Sequence, residues 1–94
     1  MANTVSVDPK GEQRGGQEVY IIDVSRDGTT LSVENTRREM GDMVRRENLR
    51  LQRLRLEREE AVKDGQPVAA IDAEIATTAD LSWNATTVYE FMPR

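Results

Sequence analysis

The sequence predicts an α+β fold: a long helix and a shorter antiparallel helix form a hairpin, with a β-hairpin before it and a strand after it, and the whole associates into an oligomer. Three observations carry that expectation. Val33, Arg37, Met40, Val44, Glu47, Leu51, Leu54, Arg58 and Ala61 step by four and three residues, the spacing of one helix face. Val19 to Val24, VYIIDV, is rich in β-branched and aromatic residues and is soon followed by Asp27-Gly28, a pair suited to a tight turn between strands. Asp64-Gly65-Gln66-Pro67 joins a glycine fitted to the left-handed end of one helix to a proline fitted to the first turn of the next.

Residues 1–17 are polar and contain Pro9, Gly11, Gly15 and Gly16, so they read as an extended N-terminal arm that is disordered in isolation, either a floppy terminus or a docking element tied down by a partner surface. Residues 18–94 form a single small domain. Its β-hairpin spans 18–33, with Leu31 and Val33 sharing a face of the return strand. A rival reading starts the long helix early, with Ser32 as its N-cap.

The long helix is expected over 35–63, capped by Asn35 and supported by i,i+4 pairs of Asp42 with Arg46 and Arg55 with Glu59. Six of the nine spaced positions are apolar and Glu47 interrupts them, so the heptad is degenerate. Gly41 costs ~1 kcal/mol relative to alanine inside a helix. It marks a kink, a close helix approach, or a break with Asp42 capping a second segment.

Val68, Ile71, Ile75, Ala79 and Ser82 place the second helix over 67–80, and the short connection makes it antiparallel to the first. Its Asp72, Glu74 and Asp80 can answer the arginines opposite. Thr86 to Met92, TTVYEFM, reads as a strand over 86–92 stopped by Pro93. On these bounds the second helix is ~21 Å long against ~44 Å for the first. Met40, Met43 and Val44 are then left for the strands or another subunit to cover.

The long helix also carries a second stripe. At 100° per residue, Leu49 and Leu56 lie opposite the Met40, Val44, Leu51 and Leu54 face, among Arg38, Arg45, Arg46 and Arg53. One apolar face serves the fold and the other implies a protein partner. The interface residues expected from the sequence are therefore these six together with Met40, Met43, Val44 and Trp83, the last as core plug or interface anchor.

Composition agrees with an assembling chain more than with a compact enzyme. Only 37% of the 94 residues are apolar and 32% are charged, leaving a thin core. Without cysteine or histidine the chain has no thiolate nucleophile and no ordinary neutral-pH general base, and a zinc or copper site would have to be built from carboxylates alone, so no cofactor, metal or catalytic role is expected. The acids Glu59, Glu60 and Asp64, or Asp72 and Glu74, have spacings typical of a solvated helix surface. Net charge is −4, but residues 36–58 are net basic between two net acidic ends, a pattern that favours self-complementary packing. Nucleic acid is not the expected partner, because acids interleave Arg37-Arg38 and Arg45-Arg46 and no aromatic lies between Thr36 and Arg58. Asn84-Ala85-Thr86 matches a glycosylation acceptor by pattern only. No segment has the length and apolarity of a signal peptide or membrane span, so the expected site of synthesis is the cytoplasm and no membrane is expected.

A small chain without cysteine or histidine, with an arm, a helical hairpin and terminal strands, resembles minor structural proteins of tailed bacteriophages. That resemblance implies a virion component. The function expected is thus a non-enzymatic structural subunit of a repeated assembly, or alternatively a small acidic regulator or inhibitor that docks on a large protein or nucleoprotein. A closed oligomer separates the first from the second.

Overall fold

The computed structural model describes residues 3–93. Three strands, β1 (Thr4–Arg14), β2 (Gln17–Arg26) and β3 (Thr29–Asn35), precede two helices, α1 (Arg37–Lys63) and α2 (Ala69–Phe91). The strands form one antiparallel sheet in the order β1-β2-β3. The class is α+β.

Both turns of this meander use paired residues with positive φ, which match the twist of a two-residue hairpin. Gly15 and Gly16 join β1 to β2 at φ 58° and 78°, and Asp27 and Gly28 join β2 to β3 at 49° and 85°. The second was expected from the sequence; the first corrects the reading of residues 1–17 as an unpaired arm. Thr4 to Pro9 pair with Ser25 to Tyr20, and Gln13 and Arg14 with Glu18 and Gln17. Residues 10–12 bulge opposite the single, fully buried Val19. Pairing supplies the order that the polar side chains do not. Met1 and Ala2 of that arm, and Arg94, lie outside the described residues.

The capping residue of α1 is Thr36, not Asn35 or Ser32, which sit in β3. The Glu39 amide donates to Thr36 Oγ1 at 3.2 Å and the Thr36 amide donates to Glu39 Oε1 at 2.9 Å, a reciprocal capping box. The sequence signature Thr36-x-x-Glu39 was there to be read. α1 then runs unbroken through Gly41. At its end, Gly65 N–H donates to the Val62 carbonyl and Gln66 N–H to that of Ala61, with Gly65 at φ 68°, the Schellman arrangement.

α2 is the largest departure. The second helix was expected to stop near Asp80 and a strand to follow over 86–92, but that segment is helical to Phe91. Its β-branched and aromatic residues are strand formers on propensity alone. Tertiary packing overrides that preference, because Val68, Ile71, Ile75, Thr78, Ser82, Ala85, Tyr89 and Met92 continue one 3,4 seam, all of it buried or half-buried. No Gly or Pro falls between Asp80 and Thr86 to end the helix, and Pro93 stops a helix as well as a strand.

The longer α2 removes the predicted shortage of cover. Gly41 lies against Tyr89, Asn48 accepts a hydrogen bond from Ser82 at 2.5 Å, and Arg58 donates to Asp72 at 2.5 Å, so the helices run antiparallel along their lengths. Ile22, Val24 and Leu31 of the sheet pack with Met40 of α1 and Ala85, Val88 and Met92 around α2. The core therefore sits at the sheet end of the hairpin. The opposite end stands out as two helices alone, in a molecule measuring 52 × 31 × 16 Å.

Candidate functional site

The inner seam of α1 is the 4,3 stripe read from the sequence. Met40 and Leu54 are buried and Val44, Glu47, Leu51 and Ala61 half-buried. Burying that seam against α2 and the sheet fixes the rotation of the helix, which obliges Leu49 and Leu56, some 180° away, to face outward. Each is 61% exposed. They lie seven residues apart on one stripe, with Arg38, Arg45, Arg46 and Arg53 all exposed around them.

Of the ten interface residues expected from the sequence, these six are together on one open face. Met40 is not on it. It is fully buried against the sheet and α2, and so has no surface to offer a partner. Met43 and Val44 are half-buried against the same core. Trp83 lies on α2, 39% exposed, with the Arg26 guanidinium 4.1 Å over its ring. Arg26 covers part of the indole that the core leaves open.

The electrostatics distinguish committed from uncommitted arginines. Arg37 stacks 4.1 Å over Tyr89 in the fold, and Arg58 is tied to Asp72, whose carboxylate raises the guanidinium's pKa through the hydrogen bond and then through charge. Asp42 pairs with Arg45, one turn away, rather than with Arg46 as expected. Among the described residues Arg38, Arg46 and Arg53 make no ion pair within the chain. Asp80 accepts a hydrogen bond from Thr29 at 3.3 Å instead of answering an arginine.

A second apolar surface lies where α2 ends beside β1. A cleft of about 500 Å³ is lined by Val5, Val7, Pro9, Tyr20, Phe91 and Pro93, with Glu18 its one charged wall. Among the described residues no three metal-ligating side chains converge, and no helix is long and apolar enough to cross a membrane. Asn84, within the glycosylation pattern, is fully buried and its Nδ2 donates to the Thr29 carbonyl at 3.3 Å, so it serves the helix-to-sheet contact.

Sequence reasoning missed the edge strand and the cleft beside it. The signal for the first was Gly15-Gly16, a pair that can take positive φ twice. The cleft depends on how far α2 continues, which residue pattern alone did not reveal. Comparison of the chain with protein-family models, with curated proteins and with solved structures gives no match.

Proposed function

We propose that this protein is a non-enzymatic structural subunit of a repeated assembly, and that the outer face of α1 is the surface through which it joins its neighbours. The observation that supports this reading is the pair Leu49 and Leu56, each 61% exposed on one stripe and set among four arginines, of which Arg38, Arg46 and Arg53 make no ion pair among the described residues. Single exposed leucines are ordinary, but two in register on a projecting helix form an apolar strip with a polar margin. The proposed setting is a tailed-bacteriophage particle, on the resemblance of chain type alone.

The test is mass by light scattering on the full chain. Full burial of a leucine contributes roughly 1.5–3 kcal/mol, so association through two per copy is modest and calls for high protein concentration. Wild type should exceed the 10.6 kDa protomer. Leu49→Ala with Leu56→Ala should return it to protomer mass while circular dichroism shows helicity retained. A wild-type protomer at every concentration, or a double variant that assembles as wild type does, contradicts the reading; the former favours a regulator acting on another protein.

A further inference from the structure

The outer stripe of α1 has a charge order that reverses about its own midpoint. Reading along it, Asp42, Arg45-Arg46, Leu49, Gln52-Arg53, Leu56, Glu59-Glu60 and Lys63 recur every half heptad, and all are exposed. A point between Gln52 and Arg53 lies equally far from Leu49 and Leu56, from the arginine pair and the glutamate pair, and from Asp42 and Lys63. Each group on one side of that point has its chemical complement at the same distance on the other.

We infer that the surface α1 presents is built for the same surface of a second copy, laid antiparallel across a two-fold axis at Gln52-Arg53. This rests on the reading of that face as an assembly surface and names its occupant. In this register Leu49 meets the partner's Leu56, the Arg45-Arg46 pair faces the partner's Glu59 and Glu60, and Asp42 faces the partner's Lys63. The two-fold operation makes every one of these contacts twice. A parallel, in-register pairing sets each residue beside its own copy, with arginine against arginine and glutamate against glutamate, and like charges so placed repel. The two Arg53 side chains flank the axis as the one like-charged pair of the antiparallel stripe. Apart from Arg45, which also pairs with Asp42 of its own chain, the basic middle and acidic end of α1 thereby satisfy each other between chains rather than within one.

Charge reversal tests the register. Arg45→Glu with Arg46→Glu makes one variant, and Glu59→Arg with Glu60→Arg makes another. Each alone should weaken self-association at least about tenfold, because both contacts between residues 45–46 and the partner's 59–60 become repulsive and only the Asp42 to Lys63 contacts stay attractive. Mixing the two should restore a dimer, since the first variant's new acids face the second's new bases, and a chain carrying all four substitutions should dimerise with itself. That fourth protein also shows that the substitutions permit folding. Because the chain lacks cysteine, single cysteines give an independent readout. Gln52→Cys, beside the axis, should cross-link two copies, whereas Lys63→Cys should not, since the two sites lie ~32 Å apart along antiparallel helices at 1.5 Å per residue. Cross-linking through Lys63→Cys and not Gln52→Cys, or no recovery on mixing while Leu49→Ala with Leu56→Ala still abolishes assembly, overturns the antiparallel pairing but leaves the face an assembly surface. Loss of neither mass nor affinity in any of these variants overturns both.

Discussion

At the residue scale, α1 is held by a few side chains whose geometry makes definite demands. A Cβ on Gly41 would stand 3.1 Å from Tyr89 Cε2, tighter than ordinary van der Waals contact, so the glycine is a close approach between helices and not a break. Gly41→Leu should destabilise the fold by ~1–3 kcal/mol through overpacking, measured by chemical denaturation. Unchanged stability would mean that the ring is free to move. Glu47 sits in the inner seam with Oε2 buried and unpartnered, so Glu47→Leu should raise unfolding free energy by about 1 kcal/mol, and a loss instead would show that the carboxylate has a partner in solution. Glu39 titrates below the ordinary 4.5, first because the Thr36 amide donates to it and then because Arg14 does. Its ionised form is the one favoured by folding. That contribution is present above the ordinary carboxylate range and is lost as pH falls through the lowered folded value, because the unfolded chain binds the proton first. Glu39→Gln should flatten this part of the stability profile, and an identical profile would remove Glu39 from the acid response.

At the scale of elements, the two helices divide into an interior that packing dictates and an outer face that it leaves open. The inner seam of α1, the Asp27-Gly28 turn and the Gly65 stop were legible because each is a local pattern: a 4,3 spacing, a positive-φ pair, a C-terminal glycine. The last turns of α2 were not. Thr86 to Phe91 has strand-forming composition, and only the continuation of Ser82, Ala85, Tyr89 and Met92 at helical spacing shows that tertiary contact wins there. β1 was hidden for a related reason, since its side chains bury little and its order comes from backbone pairing with β2. The outer Leu49 and Leu56 stripe was visible in the sequence, whereas the burial of Met40 depended on the length of α2. If α2 covers the core as described, Val88→Ala, which truncates a fully buried side chain between helix and sheet, should cost ~1–3 kcal/mol and lower the melting temperature clearly. A melting temperature within a degree of wild type would place the end of α2 outside the core.

At the scale of the whole molecule, the sheet anchors one end of the hairpin and leaves the other end projecting with its outer stripe uncovered, a form suited to bridging copies in an assembly. In that account α1 has two interiors, one completed by α2 and the sheet, the other by a neighbour. Leucine methyl NMR with a soluble paramagnetic probe distinguishes them directly. Leu31 and Leu54, 8% and 6% exposed, should stay shielded from the probe at every protein concentration. Leu49 and Leu56 should be bleached in dilute protein and become shielded as concentration drives association. Bleaching of Leu49 and Leu56 that stays complete at concentrations where light scattering shows assembly would contradict the account, because the neighbours would then meet through some other surface.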